Sequence, residues 1–297
     1  MTVRPLSHVR SVLFAPAVRP DFLAKLPARG ADAVVIDCED ATPPTAKAEA
    51  RATCRRVGPE LVVAGCQVMI RVNAVATEWF AHDIGDALTS DLAAVVVPKI
   101  ETTGELDTVR TALDRVGLVD LGVVAGLETA RGVADARLVL GHPAVVGAYF
   151  GAEDFIADMG GRRTRSNAEV VHARSEVVLA ARLAGVPALD QVVTDFGDNA
   201  AFTAEAAEAR NLGYHGKLCI HPAQVPLANG AFTPDAAEVD RARRLLDAFD
   251  RAAAEGVAAL AFEGQMVDEP LADQARRVIA LAAAFDAVSP SETGEPK

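Results

Sequence analysis

The chain has few of the residues and patterns that define several large classes of protein. Only four of its 297 residues are cysteine, and no two of them form a C-x-x-C pair. No apolar run approaches the ~20 residues that a membrane-spanning helix needs. The N-terminus has no apolar segment of the signal-peptide kind. We therefore expect buried free thiols, a reducing cytoplasmic location and no membrane partner.

Basic residues are also scarce, and this bears on the partners that the chain could have. The sequence contains 29 lysines and arginines against 41 aspartates and glutamates, a formal net charge of −12. Proteins that bind nucleic acid usually present a basic face, so the charge balance argues against a nucleic-acid partner. A site can still be locally basic, and an anionic small-molecule substrate remains compatible with this composition.

The secondary-structure pattern is an alternation of short apolar runs with segments of helical period. The runs predict eight strands, at 11–15, 33–38, 67–72, 93–97, 122–127, 145–150, 187–189 and 216–220. Because the strands are apolar throughout, they indicate a parallel sheet that is covered on both faces. Eight strand–helix units are the number that closes a (β/α)₈ TIM barrel. An open doubly wound sheet is the alternative, but no G-x-G-x-x-G motif follows the first strand to support it.

The chain continues well beyond the eighth predicted strand. We predict a barrel over residues 1–232, a C-terminal helical arm over 233–288 and a disordered polar tail over 289–297. In the arm, two long helices at 234–255 and 271–287 flank an apolar stretch that ends in acidic residues. An extension of this size is large enough to be an oligomer arm or a lid.

Polar residues follow the C-terminal ends of six predicted strands. In a barrel the active site lies at that end of the strands. One polar strand end is usually solvated surface, but six together predict a shared cavity. The residues are Asp37-Cys38-Glu39-Asp40, Arg71-Val72-Asn73, Pro98-Lys99, Glu128, Glu153-Asp154 and His221-Pro222.

Two carboxylates at the ends of neighbouring strands predict a metal site. Mg²⁺ takes one or two protein carboxylates and fills its other positions with water or substrate oxygens. We predict that Glu128 and Asp154 hold Mg²⁺, with Mn²⁺ as an acceptable substitute. Arg71 could then take a substrate carboxylate as a bidentate pair. The structural alternatives stay open: Glu128 could start a helix, Asp154 could cap one, and Arg71 could pair with the acidic residues 37–40.

Basic residues elsewhere could meet the anionic part of a ligand. Arg19 and Lys25 flank the first β/α turn, where they could contact a phosphate or be solvated surface. The arginine-rich segment 162–165 follows two glycines on the same rim. For Lys99 we expect a structural or ion-pairing role rather than Schiff-base chemistry, and for His221 a structural hydrogen bond.

The chain resembles the HpcH/HpaI aldolase and citrate lyase β-subunit (CitE-like) family, which includes malyl-CoA and citramalyl-CoA lyases. The segments that carry the resemblance run in family order over almost the whole chain, and together they are highly specific. Cys38 stands where the family commonly has leucine, a conservative difference in size. The segments are LFAPAVRPDFLAK (13–25), VVIDCEDATPPTAKAEAR (34–51), IRVN (70–73), VVPK (96–99), LETARG (127–132), FGAEDFIADMGG (150–161), GKLCIHPAQV (216–225) and FEGQMVDEP (262–270).

The resemblance implies a (β/α)₈ barrel, Mg²⁺ dependence and commonly a homotrimer. It implies metal ligation by Glu128 and Asp154, keto-acid carboxylate binding by Arg71 and a supporting role for Glu39. It also implies that Asp268 is the acid/base group, donated across a subunit interface by the C-terminal arm. Without the resemblance, the position of Asp268 suggests a carboxylate at a helix N-terminus.

These features together predict an enzyme that works on small molecules. We expect a Mg²⁺-dependent carbon–carbon lyase that cleaves or forms a 3-hydroxy-3-carboxyacyl-CoA thioester, such as malyl-CoA or citramalyl-CoA, with a 2-keto acid and an acyl-CoA as products. The alternatives are a citryl-ACP lyase β subunit in a complex and a free-acid 2-keto aldolase. A silent barrel that only binds CoA or a keto acid would lack a metal carboxylate or the arginine. We assign catalysis to Asp268, Arg71 and Glu39, and substrate binding to Arg71, Glu128, Arg19 and Lys25.

Overall fold

The computed structural model describes residues 5–286, and the predicted tail at 289–297 lies outside that range. Eight parallel strands form a closed barrel in which each strand pairs with the next and β8 pairs with β1. The predicted TIM barrel is therefore confirmed, and the doubly wound sheet is excluded. The strands are β1 (Ser11–Pro16), β2 (Ala33–Asp37), β3 (Val68–Arg71), β4 (Ala94–Val97), β5 (Val123–Leu127), β6 (Val145–Phe150), β7 (Ala188–Asp190) and β8 (Gly216–Cys219).

Helices follow the barrel strands and cover their outer faces. Hydrophobic residues on both faces of the strands are buried, which explains why the strands are apolar without interruption. The helices are α1 (Pro20–Leu23), α2 (Lys47–Val63), α3 (Phe80–Ala87), α4 (Thr103–Arg115), α5 (Ala130–Ala134), α6 (Ala136–Leu140), α7 (Ala152–Asp158), α8 (Val171–Ala184), α9 (Asn199–Leu212) and α10 (Gln224–Ala231). No helix within residues 5–286 is long and apolar enough to cross a membrane.

The first and sixth strand–helix units differ from the sequence prediction. The helical period of the segment after the first strand predicts a helix over 20–28, but the structure has only α1 and a 3₁₀ turn at Leu26–Arg29 there. Pro27 explains the break, because proline lacks an N–H and disfavours helical geometry in the residue before it. After β6, the change from apolar residues to Glu153-Asp154 and the glycine pair at 160–161 predict a loop. The structure has α7 there instead, and its Phe155 and Ile156 are buried against the barrel. Acidic residues favour the first turn of a helix, so the acidic pair that suggested a loop belongs to a helix start.

The residues inside the barrel alternate along each strand with residues that face the helices. Val35, Met69 and Val124 belong to the inner cluster. Side chains on one face of a strand recur every second residue. Asp37 comes two residues after Val35, and Arg71 comes two residues after Met69, so both lie on the inward face. The strand pattern therefore points both of these polar side chains towards the barrel mouth.

A charged cluster is buried between β7, β8 and α8. Asp190 accepts hydrogen bonds from Arg174 Nε at 3.0 Å and from Lys217 Nζ at 2.6 Å. All three side chains have no exposed surface. Charged side chains are almost never fully buried unless they are paired. The negative charge of Asp190 therefore offsets the free-energy cost of burying the two cations.

The cysteines carry no disulfide. All four are free thiols, and Cys38, Cys54 and Cys219 are buried. Cys66 is only partly buried, which differs from the expectation, because it lies in the turn between α2 and β3.

Among the described residues, 233–286 form a second compact unit, separate from the unit that ends at Phe232. It contains α11 (Ala236–Ala254), the antiparallel hairpin of β9 (Leu260–Phe262) with β10 (Gln265–Val267), and α12 (Glu269–Asp286). Its small core includes Leu245, Phe249 and Val267.

Two local features of this unit were not predicted from the sequence. The hairpin turns at Glu263 and Gly264, which both have positive φ, of 50° and 80°. That pattern is typical of a two-residue type I′ turn, but glutamate lacks the Asn-Gly or Asp-Gly signal by which such turns are recognised. The sequence predicts Thr233 as the N-cap of the first arm helix, but the cap of α11 is Asp235, which forms a capping box with Glu238.

Candidate active site

A cavity of about 330 Å³ opens at the C-terminal ends of the barrel strands. Its charged lining residues are Asp37, Asp40, Arg71, Glu128, Glu153 and Asp154. Its apolar wall includes Phe14, Val192, Leu218 and Ile220. The structure thus brings together, on one rim, residues that are far apart in the sequence.

Arg71 is held rigidly at the edge of this cavity. Its Nε and Nη2 atoms each donate a hydrogen bond of 2.7 Å to Asp37. Nη1 lies 3.0 Å from Glu39 Oε2. Burial pushes the pKa of Asp37 upward, but the charge and hydrogen bonds of Arg71 outweigh it, and the pKa is below its usual value. The ion pair that the sequence left open is therefore present, and it fixes the guanidinium group.

Glu39 links Arg71 to Lys99. Its Oε1 atom accepts a hydrogen bond of 2.6 Å from Lys99 Nζ, and Oε2 is buried without a hydrogen bond from any described residue. The contact of Oε2 with Arg71 is thus a charge–charge contact without hydrogen-bond geometry. Burial raises the pKa of Glu39 despite the opposing charges of Arg71 and Lys99.

Glu128 lies on the wall of the cavity and is almost fully buried, with 2% of its surface exposed. Its Oε1 atom accepts hydrogen bonds from the backbone N–H of Lys99 at 2.9 Å and from the Tyr149 hydroxyl at 3.1 Å. Oε2 accepts none from the described residues. Burial, followed by the negative charge of Glu39, raises the pKa of Glu128 to about 7. A Cβ atom at Gly151 would collide with the Glu128 carboxylate, so glycine is what leaves room for it.

Asp154 lies in the first turn of α7, and its side chain is 40% exposed. None of the hydrogen bonds of the described residues ends on its carboxylate. Its nearest cation is Lys99, whose Nζ atom is 3.5 Å from Asp154 Oδ1. Glu128 and Asp154 therefore both face the cavity and both contact the same lysine.

The two carboxylates fit a hard divalent cation. Glu128 Oε2 and both Asp154 oxygens have no hydrogen-bond donor among the described residues, and the mutual repulsion of the acidic groups contributes to the raised pKa of Glu128. Within residues 5–286, no group of three or more His, Cys, Asp or Glu side chains is arranged to hold a metal ion. A cation here would have two protein ligands and would need water or substrate oxygens, as Mg²⁺ commonly does.

Three of the predicted functional residues of the barrel, Glu39, Arg19 and Lys25, do not line the cavity. Arg19 is exposed and pairs with Asp21 through hydrogen bonds of 2.9 and 2.8 Å. Lys25 is exposed at the end of the same turn. Asp268 belongs to the second unit, where its backbone carbonyl accepts hydrogen bonds at the start of α12. In the arginine-rich segment, Arg163 pairs with acidic side chains.

Sequence reasoning gave too little weight to three residues of the site. In the sequence Asp37 is only one of four consecutive strand-end residues, and nothing local marks it as the residue that orients Arg71. Tyr149 could have been singled out, because it is one of only two tyrosines and it interrupts an apolar strand. Lys99 was expected to form an ion pair, but its central position between Glu39, Glu128 and Asp154 depends on contacts across three strand ends.

Fold and site together define a (β/α)₈-barrel enzyme whose acidic active site lies at the C-terminal ends of the strands. The family model for HpcH/HpaI aldolase/citrate lyase matches residues 10–222. The chain belongs to this family, and the prediction of a lyase is confirmed at that level.

Relatives and solved structures resemble the chain over almost its full length. A citrate lyase subunit beta-like protein of Deinococcus radiodurans is 50% identical over 279 residues, which are 93% of this chain and 98% of that protein. A (3S)-malyl-CoA thioesterase of Cereibacter sphaeroides is 31% identical over 278 residues, 94% of this chain and 96% of the relative. The structure of CitE from Mycobacterium tuberculosis in complex with magnesium, acetoacetate and coenzyme A has a TM-score of 0.80 and 34% identity. This comparison covers 94% of this chain and all of that one.

Proposed function

We propose that the chain is a Mg²⁺-dependent carbon–carbon lyase acting on a 3-hydroxy-3-carboxyacyl-CoA thioester such as malyl-CoA or citramalyl-CoA. The products would be a 2-keto acid and an acyl-CoA, and the reverse reaction would be the condensation. The observation that carries the proposal is that two carboxylates with free oxygens, Glu128 and Asp154, face the same cavity as Arg71. The likeness to a malyl-CoA thioesterase and to CitE with magnesium, acetoacetate and coenzyme A supports it.

Glu128 and Asp154 would hold the metal. Bound Mg²⁺ supplies a Lewis acid that polarises the hydroxyl or keto oxygen of the substrate. Glu128 is fixed for this role by the backbone of Lys99 and by the Tyr149 hydroxyl, which both bind Oε1 and leave Oε2 available.

Arg71 would bind the carboxylate of the keto-acid portion. Asp37 takes Nε–H and one N–H of Nη2, so the other N–H groups remain for a ligand. Asp37 and Glu39 hold the guanidinium in place before the substrate arrives. A preoriented arginine loses less conformational entropy when it binds a carboxylate than a mobile one.

The cavity matches the reacting end of such a thioester rather than the whole molecule. At about 330 Å³ it lies at the small end of ligand pockets. Phe14, Val192 and Leu218 would pack on the acyl chain and exclude water from the reacting carbons. The pantetheine arm and the nucleotide of coenzyme A would extend out of the barrel mouth. Arg19 and Lys25 remain our candidates for its phosphates.

Asp268 is our proposed acid/base residue. When the carbon–carbon bond breaks, the electron pair stays on the carbon next to the thioester, and a proton must reach that carbon to give the acyl-CoA. The second unit would act as an arm of a homo-oligomer, a trimer in our proposal, and would place Asp268 at the site of a neighbouring subunit.

A substrate panel tests the activity directly. We expect purified protein with Mg²⁺ to cleave malyl-CoA or citramalyl-CoA but not 3-hydroxy-3-methylglutaryl-CoA, which lacks a carboxylate on its hydroxyl-bearing carbon, and we expect EDTA to stop the reaction. We expect Asp154→Asn to reduce turnover by at least ~100-fold, because even groups that only support metal ligands often cost 10–100-fold. The matched control is Asp91→Asn, which alters an exposed carboxylate in the α3–β4 turn. Folded protein that binds Mg²⁺ but cleaves neither malyl-CoA nor citramalyl-CoA would contradict the proposal.

Mixed oligomers test the role of Asp268. Asp154→Asn and Asp268→Asn subunits should each be inactive alone, because each lacks one half of every site. If Asp268 acts on a neighbour, refolding the two variants together should restore part of the activity, since some sites combine intact halves. No recovery, with mixed oligomers demonstrated by mass spectrometry, would exclude donation between subunits.

The alternative is the β subunit of a citrate lyase that acts on citryl-ACP. The name of the relative that is 50% identical favours it. Activity on citryl-ACP that requires a multi-subunit complex, with none on the CoA thioesters, would establish this alternative. Turnover of free 2-keto acids without a thioester would instead identify a free-acid aldolase.

A further inference from the structure

Lys99 makes a polar contact with each of the two proposed metal carboxylates. Its backbone N–H donates to Glu128 Oε1 at 2.9 Å, and its Nζ atom lies 3.5 Å from Asp154 Oδ1. We propose that Lys99 sets the metal affinity of the site, because its ammonium group pairs with Asp154 in the metal-free protein and competes with the divalent cation for it. This inference rests on the proposed metal site.

The backbone of Lys99 is held in an unusual conformation. Its φ is +54°, in the left-handed region that residues with a Cβ atom rarely occupy. This conformation is strained for a residue with a Cβ atom, and such strain persists where surrounding contacts enforce it. Contacts with the surrounding fold, rather than the backbone preference of lysine, therefore hold Lys99 in this conformation.

The ammonium group makes one strong contact, with Glu39, and two weaker ones, the longest of which is with Asp40 Oδ2 at 3.9 Å. Nζ is 2.6 Å from Glu39 Oε1, and the Glu39 side chain is only 8% exposed. The contact with Asp154 is longer, at 3.5 Å, and Asp154 is 40% exposed. A cation that enters the cavity can therefore take Asp154, while the ammonium group keeps its bond to Glu39.

The lysine consequently opposes metal binding in two ways. The cation must displace the ammonium group from Asp154, and afterwards two positive charges remain close together in a partly buried site, where screening by water is weak. A residue that merely supported the site would have the opposite effect, because its removal would weaken the binding of the metal. The sign of the change in affinity therefore separates the two roles.

Measuring Mg²⁺ affinity in the absence of substrate tests the inference. Mg²⁺ would be titrated calorimetrically into wild-type protein, Lys99→Met and Arg137→Met at one pH and ionic strength. We expect Lys99→Met to bind Mg²⁺ at least about fivefold more tightly, since a charge only a few ångströms from the cation is removed. Arg137 is exposed on α6, so Arg137→Met removes one positive charge at a solvent-exposed position. We expect it to stay within about twofold of wild type because exposed charges are screened.

Further variants keep the test decisive. Lys99→Arg retains the charge and should bind Mg²⁺ close to the wild-type affinity. If Lys99→Met fails to fold by circular dichroism, Lys99→Gln replaces it in the comparison. Unchanged or weaker Mg²⁺ binding by the folded neutral variant would overturn the inference, as would tighter binding by Lys99→Arg.

Failure of the inference can be told apart from failure of the proposed function. Glu128→Gln removes a proposed metal ligand and should lose measurable Mg²⁺ binding. Wild-type affinity in Glu128→Gln would show that the metal binds elsewhere and would overturn the proposed function. Lost binding in Glu128→Gln, together with no gain in Lys99→Met, would overturn only the role of Lys99.

Discussion

Replacing Glu128 by glutamine is expected to abolish turnover and also to make the metal-free protein more stable above pH 7. Burial and the Glu39 charge raise the pKa of Glu128 from an ordinary value of 4.5 to about 7. Between these values the folded protein binds a proton that the unfolded chain has released. Stability of the metal-free protein therefore falls as the pH rises from 4.5 towards 7, and it stays low above 7.

The size of this effect follows from the difference in pKa. Ionising Glu128 in the folded state costs of the order of 3 kcal/mol at pH 8. Glutamine keeps an oxygen for the Lys99 N–H and the Tyr149 hydroxyl but carries no charge. The variant should therefore be more stable than wild type at pH 8, and its stability should no longer carry the pH dependence that comes from Glu128. Turnover should fall at least ~100-fold with the loss of a proposed metal ligand.

Urea unfolding in EDTA at pH 5, 6, 7 and 8 measures this effect. The difference in free energy of unfolding between Glu128→Gln and wild type should grow with pH up to about 7 and then level off. Glu78→Gln changes an exposed carboxylate and should alter neither stability nor turnover. A difference that does not depend on pH would show that Glu128 is already ionised in the metal-free protein at pH 5.

Removing the charge of Asp190 is expected to cause a large loss of stability. Asp190→Asn would leave Arg174 and Lys217 without their shared carboxylate, although both side chains are fully buried. Breaking a buried ion pair by removing one partner typically costs about 3–5 kcal/mol. Glu208 still pairs with Arg174, and Glu205 lies 3.6 Å from Lys217, so part of the charge remains balanced.

Chemical denaturation with urea checks this expectation. The midpoint of unfolding should fall markedly for Asp190→Asn. Glu60→Gln breaks an exposed pair with Arg56, at 3.6 Å, and should leave the midpoint unchanged, because surface ion pairs contribute little. A wild-type midpoint for Asp190→Asn would mean that water or another group balances the buried cations.

The sequence by itself determined the barrel and the rim on which the site lies. Eight apolar runs at regular spacing leave few arrangements other than a closed parallel sheet. The period of two along each strand then points Asp37 and Arg71 into the mouth of the barrel, and it places Glu128 at a strand end. The boundaries were less predictable where local chemistry decided them, as with Pro27 after α1 and the Glu263-Gly264 turn.

Only the tertiary structure decided how these residues pair. Lys99 and Glu39 are 60 residues apart, and Arg71 and Asp37 are 34 apart, so no local pattern encodes either contact. The raised pKa of Glu128 also depends on burial and on charges from other strands. Closing the barrel brings the strand ends within hydrogen-bond distance, and the left-handed backbone of Lys99 then aims one residue at both carboxylates. The sequence supplies the charged side chains, and the closure of the barrel determines which of them form ion pairs.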